Sequence, residues 1–196
     1  MANPSIMIIS LSPGGSNASM RSFHAEKDRF ERGDFSDPKE LSYWARNYGM
    51  SKRVKDLFGE RIDLLREQTV AFPVCFFRSR TWGEMPRPTR RKMKRFCFPI
   101  AKEIIHIMQP KRILVIGFKT YDYLADSILP SMNNDVFRER KTLFRNGGDR
   151  LLEESKWGSN WGIIPVLTTL HLTGALGISS EERGILRQRF QDWVSS

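Results

Sequence analysis

The chain has 196 residues, of which 40% are hydrophobic and 28% charged, values typical of one soluble globular domain over residues 1–196 rather than a disordered chain. Thirty-two Lys and Arg against 22 Asp and Glu give a formal net charge of +10, which favours an acidic partner such as nucleic acid. The two cysteines and three widely spaced histidines exclude a disulfide framework, a four-thiolate zinc site and a local metal motif, so we expect no metal or other cofactor.

The chain begins Met1-Ala2-Asn3-Pro4-Ser5, without the basic flank of a secretory signal. No apolar run approaches the roughly 20 residues that a membrane-spanning helix needs. We therefore predict a cytoplasmic protein that does not bind a membrane. The sequence leaves the oligomeric state open, and a monomer is the working expectation.

Four short apolar segments lack the alternation of a half-exposed strand, so they predict strands that are covered on both faces. In chain order they are Ile6–Ser10, Thr69–Phe77, Arg112–Phe118 and Gly162–Thr169. Proline falls inside two of these segments, at Pro73 and Pro165, and each proline removes one donor from a sheet ladder.

Helical patterns separate the predicted strands. Asp37-Pro38 is typical of the start of a helix, and a second helix is predicted from Ser51. A third is predicted from Thr89 to Met108, with Pro99 inside it, and a fourth from Thr120 to Leu129. Ser179 and Glu182 form a capping box before the last helix. The polar segment Asn133–Trp161 is predicted to be a surface loop. Strands that alternate with helices predict an α/β fold, namely a three-layer α/β/α sandwich with a mainly parallel four-stranded central sheet.

Most of the excess positive charge lies in one stretch, residues 78–95. It holds eight Lys or Arg residues and one acid, Glu84. A concentrated basic patch is what a polyanion-binding surface needs. Charge alone leaves a second interpretation open, in which Arg90, Arg91 and Lys92 simply form the solvated face of a helix.

In an open parallel sheet, ligands bind outside the carboxyl ends of the strands. The residues that follow the four predicted strands bring small, polar, basic and imidazole groups to that edge: residues 11–17, 78–82, 119–121 and 170–174. No lysine follows the glycines at phosphate-loop spacing, and no dinucleotide fingerprint follows the first strand. A nucleotide-cofactor enzyme is therefore not expected.

Four motifs stand in order along the chain: Ser12-Pro13-Gly14 after the first strand, Phe77-Arg78-Ser79 at the end of the second, a Pro-Lys-x-Ile-x-Val-x-Gly strand ending at Gly117, and His171-Leu172-Thr173 after the last. Together they resemble the uracil-DNA glycosylase superfamily over about Ile6 to Gly177. The resemblance implies a metal-independent enzyme that flips a damaged or modified base out of DNA and hydrolyses its N-glycosidic bond, in repair or in defence against foreign DNA.

The resemblance also implies roles for individual residues. His171 would donate to the base, while Ser12 stands where the family positions the attacking water, with Asp28, Glu26 or His24 as alternatives. The base would lie against Pro13, Gly14, Phe30, Phe72 and Phe77. The DNA strand would contact Arg78, Ser79, Arg80, Arg90, Arg91, Lys92 and Thr173, with Leu172 or Leu176 as the wedge that fills the vacated stack.

Three positions depart from the family pattern. Ser12 replaces an Asp or Asn, Pro73 falls where many members have the Asn that reads uracil, and Leu172 replaces a proline. These departures argue against uracil as the substrate and leave two alternatives open, a catalytically inactive nucleic-acid-binding module of the same fold and a protein that binds RNA or single strands. Trp82 either stacks on bases or closes the rim of the core. Cys75 and Cys97 are predicted to be buried packing residues.

Overall fold

The computed structural model describes residues 3–11, 43–45, 47–76, 82–83, 85–129, 138–145, 148–172 and 178–196. Within them, six strands form one sheet: β1 (Ile6–Ser10), β2 (Thr69–Pro73), β3 (Ile113–Ile116), β4 (Arg138–Phe144), β5 (Arg150–Ser159) and β6 (Gly162–Thr169). Their order across the sheet is β2-β1-β3-β6-β5-β4.

The four strands that the sequence predicts form the parallel part of this sheet, in the order β2-β1-β3-β6. Strand β5 pairs antiparallel with β6, and β4 pairs antiparallel with β5. The fold is α/β as predicted, but the prediction of a four-stranded sheet is wrong, because the sheet is mixed and has six strands.

The two additional strands lie in the segment predicted to be a surface loop, Asn133–Trp161, so that prediction is also wrong. The sequence of β4, Arg-Glu-Arg-Lys-Thr-Leu-Phe, is charged because β4 is an edge strand, and charged residues on an edge discourage pairing with other chains. In β5, two polar residues at inward positions, Glu153 and Ser155, hide the apolar pattern of a buried strand.

The helices alternate with the strands along the chain. They are α1 (Gly49–Phe58), a 3-10 turn (Gly59–Arg61), α2 (Ile62–Glu67), α3 (Arg87–Met108), α4 (Phe118–Tyr123) with a π-helical turn after it (Leu124–Ile128), and α5 (Ser180–Ser195). The predicted capping box of α5 is confirmed, since Ser179 and Glu182 each accept from the other's backbone N–H. The helix start predicted at Asp37-Pro38 lies outside the described residues. None of the described helices is long and apolar enough to cross a membrane.

Helices cover both faces of the sheet, which explains why the parallel strands lack alternation. All five residues of β1 are buried. Ile6 and Ile8 pack into one cluster with residues of α1, α2 and α5, while Met7 and Ile9 pack into a second cluster with residues of α3 and α4. A strand that is apolar on both faces is the expected result of this arrangement.

The two strand prolines occupy positions where a missing donor is tolerated. Pro73 is the last residue of β2, which is an edge strand of the sheet. Pro165 lies on β6, where β3 begins to pair only at the next residue, Val166, so at Pro165 the strand has a neighbour on one side only. Both positions agree with the restriction of proline to edges and ladder ends.

Candidate functional site

An open cleft of about 410 Å³ lies at the carboxyl edge of the sheet. Leu11 follows β1, Gly117 follows β3, and Leu170 and His171 follow β6, so the parallel strands deliver these residues to one place. Strand β4 ends and antiparallel β5 begins at the same edge. The other lining residues are Phe118, Lys119 and Thr120 of α4, with Arg145, Asp149 and Arg150 from the ends of β4 and β5.

Gly117 shapes the floor of this cleft. Its φ of +92° lies in the left-handed region that favours glycine, its N–H donates to the Thr169 carbonyl at 2.8 Å, and its carbonyl accepts from Thr120 N–H at 2.9 Å. A Cβ at this position would stand 3.4 Å from Cδ2 of His171. The chain therefore turns from β3 into α4 at a glycine whose backbone lies directly beside the imidazole.

The His171 side chain is exposed on one side and packed against protein on the other. Loss of water around the ring lowers its pKa from the ordinary value of 6.5, because burial penalises the charged imidazolium. At neutral pH the ring is therefore uncharged, with one nitrogen that donates and one that accepts. Such a group can donate a hydrogen bond without adding a full charge to the cleft.

Arg150 is held at the cleft wall by two contacts. Its guanidinium carbon lies 4.3 Å from the centre of the Phe118 ring, and its Nη1 lies 3.6 Å from Oε2 of Glu153. The Glu153 carboxyl is 3% exposed and also accepts from Thr142 Oγ1 at 3.3 Å. A stacked and ion-paired arginine loses little conformational freedom when it binds an anion.

Arg145 is fixed by a carboxylate of α5. Its Nε and Nη2 donate to the two carboxylate oxygens of Glu182 at 2.8 and 3.2 Å, a bidentate pair that ties the end of β4 to the first turn of α5. Hydrogen bonds from Arg145 and from the Ser179 backbone hold the pKa of Glu182 below its ordinary value of 4.5. The carboxylate that positions Arg145 is thus the same one that completes the capping box.

Helix α3 brings further positive charge to this edge. It follows the carboxyl end of β2, and six of its residues from 87 to 95 are Lys or Arg, with no acid in the first turn. Arg90, Arg91 and Lys92, predicted to bind DNA, lie in this half of the helix. The N-terminal end of a helix dipole is itself positive, and these side chains add positive charge to it, so the arrangement favours a bound anion.

Two other predicted site residues can be located. Leu172 is 4% exposed and belongs to the core cluster beneath α5, so the structure does not support it as a wedge that enters DNA. Phe72 is partly buried against the core on the α3 side and does not line the cleft. Outside the described residues lie Ser12, Pro13, Gly14, Asp28, Phe30, Phe77, Arg78, Ser79, Arg80, Thr173 and Leu176, together with the alternatives His24 and Glu26.

Cys75 and Cys97 have no exposed surface and are confirmed as packing residues. Burial, reinforced by the neighbouring Cys97 thiol, raises the pKa of Cys75 to about 12. Trp82 is partly buried against the same core and donates from Nε1 to the Tyr123 hydroxyl at 3.3 Å. Its side chain therefore closes the core rim.

Sequence reasoning located Lys119, Thr120 and His171 but missed Arg145 and Arg150. Both lie in the segment predicted to be a loop. The dipeptide Asn146-Gly147 is a hairpin signal that could have revealed the strands on either side of it. The bidentate pairing of Arg145 has no such local signal, because its partner lies 37 positions further along the chain.

Comparison of the chain with known protein families and with curated proteins finds no match. Within the described ranges, no group of three or more His, Cys, Asp or Glu residues is placed to hold a metal ion.

Proposed function

We propose that the chain is a DNA glycosylase, with a three-layer fold of the uracil-DNA glycosylase type, that flips a non-standard base into the carboxyl-edge cleft and hydrolyses its N-glycosidic bond. One observation carries the proposal. His171, which packs against Gly117 and whose pKa is lowered by burial, lies in a cleft that is also lined by Lys119, Arg145 and Arg150. A neutral donor among cations suits a reaction in which a base leaves with negative charge beside a phosphate backbone.

Hydrolysis breaks the bond between C1′ and the base nitrogen, and a water oxygen bonds to C1′ in its place. One proton of that water ends on the departing base, and the other stays on the new hydroxyl group. Negative charge builds up on the base before the proton arrives. A preorganised donor such as the His171 N–H stabilises that charge, and removal of one comparable donor costs about 3 kcal/mol, or roughly a hundredfold in rate. Ser12 and Asp28 are the proposed candidates to position the water.

The surrounding charge supports binding to DNA. Base flipping costs a few kcal/mol of lost stacking and pairing, which contacts in the pocket and along the strand must offset. Lys and Arg side chains provide sequence-independent affinity by neutralising phosphates and releasing counterions. The cations of the cleft and of the first half of α3 would neutralise DNA phosphates in this way at the carboxyl edge of the sheet.

The experiment that tests the activity uses a panel of DNA duplexes and single strands that carry uracil, deaminated, alkylated or hypermodified bases. After incubation with the full chain, hot alkali converts abasic sites into strand breaks. We expect breaks with at least one substrate and a rate roughly a hundredfold lower for His171→Gln. His106→Gln is the matched control, because His106 lies in the last turn of α3, at the other edge of the sheet.

Two other results would refute the glycosylase. Tight, salt-dependent binding without abasic sites on any substrate would indicate a catalytically inactive binding module. That alternative is open because Ser12 stands where the family has Asp or Asn. Affinity that barely changes between 50 and 200 mM salt would exclude both DNA functions, because six or more phosphate contacts should weaken binding by about a thousandfold over that range.

A further inference from the structure

A tyrosine between two lysines lies next to the cleft and has no part in the function proposed above. Tyr123 is the last residue of α4. Lys94 Nζ, from the second turn of α3, stands 3.7 Å from the centre of the tyrosine ring, and Lys119 Nζ stands 5.1 Å from the same point. The Tyr123 hydroxyl accepts a hydrogen bond from Trp82 Nε1 at 3.3 Å.

The two lysines of this cluster have no acidic partner within the part of the chain that the structure describes. Among the residues that the structure describes, neither Lys94 nor Lys119 forms an ion pair with a carboxylate. Burial of Tyr123 would raise its pKa, but hydrogen bonds from Lys94 and Trp82 and the charges of both lysines outweigh burial, so the pKa lies below the ordinary value of 10.0. Two ammonium groups beside one ring therefore create a positive potential strong enough to act on the phenol.

We propose that Lys94, Lys119 and Tyr123 form a phosphate-binding subsite that holds one backbone phosphate of the nucleic acid at the entrance to the cleft. The inference rests on the proposed function for the identity of the strand. Lys119 also lines the cleft, so the subsite continues directly into the place where the base would lie. Lys94 continues the basic half of α3, so the subsite joins the cleft to that helix.

The chemistry of the three groups favours a phosphate. Each lysine ammonium offers three donors on a compact charge, and the tyrosine ring holds both of them in place by cation–π attraction. The Tyr123 hydroxyl already accepts from Trp82, so its own O–H remains to donate to an acceptor. A phosphate presents several acceptor oxygens and negative charge to these donors, whereas a base edge would leave the charge of the two lysines uncompensated.

The first experiment uses Tyr123 as its own reporter. Tyrosinate absorbance at 295 nm is titrated against pH for the wild type and for Tyr123→Phe, and their difference isolates Tyr123 from the other tyrosines. The titration is repeated with a single-stranded oligonucleotide, with inorganic phosphate and with sodium acetate, all at equal ionic strength. We expect the oligonucleotide to move the Tyr123 transition to higher pH, because a bound phosphate neutralises the lysine field and accepts a hydrogen bond from the phenol O–H.

The second experiment measures oligonucleotide affinity against salt concentration by fluorescence anisotropy. Lys94→Gln and Lys119→Gln should each lower the slope of log K against log salt by about 0.7 and weaken binding about fivefold at 0.1 M salt. Lys94→Arg should retain most of the affinity, since it keeps the charge. Lys111→Gln is the control for loss of one charge, because Lys111 precedes β3 at the opposite edge of the sheet.

The outcomes separate failure of the subsite from failure of the proposed function. The subsite is wrong, and DNA binding stands, if the oligonucleotide binds without moving the Tyr123 transition and if its affinity and salt dependence are the same for the Lys94 and Lys119 variants as for Lys111→Gln. If neither this oligonucleotide nor its duplex binds but inorganic phosphate moves the transition and acetate does not, the site takes free phosphate and the proposed function is wrong. If no anion moves the transition, the subsite is overturned.

Discussion

The imidazole of His171 lies directly against the backbone of Gly117, close enough that a Cβ there would stand 3.4 Å from Cδ2 of the ring. The two residues are 54 positions apart in the sequence, yet β3 and β6 are adjacent and parallel, so their carboxyl ends meet. The φ of +92° requires the glycine, and a side chain at this position would contact the imidazole. Position 117 therefore belongs both to the turn of the fold and to the surroundings of His171.

Replacement of Gly117 by Ala should lower stability and change the surroundings of His171. A non-glycine residue in this backbone region costs about 1–3 kcal/mol, which urea unfolding would measure. The added methyl group would come into van der Waals contact with the His171 ring, which the ring proton signals in NMR spectra should report. Gly148→Ala is the matched control, since Gly148 has a φ of +89° but nothing within 4 Å of a Cβ. Equal effects of the two variants on the His171 signals would contradict this account.

His171 should titrate below pH 6.5 in the folded protein, because loss of water lowers its pKa. Its contribution to stability then follows from linkage: with a folded pKa below the unfolded value, the contribution is complete above pH 6.5 and declines as the pH falls towards the folded pKa. NMR titration of the histidine ring protons, with His171→Gln for assignment, gives the midpoint. A midpoint at or above 6.5 would contradict the packing described here.

Glu182→Gln should lower the urea midpoint at pH 7, because Arg145 loses the carboxylate that fixes it. The pKa of Glu182 is lowered in the folded state, so its contribution to stability is present above about pH 4.5 and is lost as the pH falls through the folded pKa. The difference between wild type and variant should therefore shrink in acid. Glu181→Gln is the matched control, since Glu181 lies in the same turn of α5 and shares the helix-dipole effect. A difference that stays constant down to pH 3 would assign the effect to packing rather than charge.

Cys75 and Cys97 should resist thiol reagents in the native protein. Both are fully buried, so a reagent cannot reach either sulfur, and burial raises the pKa of Cys75 to about 12, so almost no Cys75 thiolate is present at pH 8. A colorimetric disulfide reagent should report no accessible thiol before unfolding and two after unfolding in urea. Rapid reaction of either thiol in the folded state would show that the core between β2 and α3 opens.

Local sequence patterns determined much of the parallel half of the molecule. The bounds predicted for β1 and β6 agree with the structure, because a continuous apolar run can be satisfied only by a strand that is covered on both faces. The capping box at Ser179 is also correct, because its two hydrogen bonds join residues three positions apart. Strand β2 ends at Pro73, earlier than the apolar run predicts, although the Val74 and Cys75 N–H groups still donate to the carbonyls of Ser10 and Leu11.

The remaining parts of the fold and cleft were decided by tertiary structure. Strands β4 and β5 carry charges and inward polar residues, so no apolar pattern marks them; their pairing onto β6 is what makes them strands. The same pairing brings Arg145 and Arg150 to the cleft, while Lys94 and Lys119 meet only where α3 and α4 pack against Tyr123. The sequence alone determined which segments are buried and which residues follow the strands, because apolar runs and backbone preferences are local features of the chain. The partners of each charged side chain were decided by the sheet order, because charges attract through space whatever their separation along the chain.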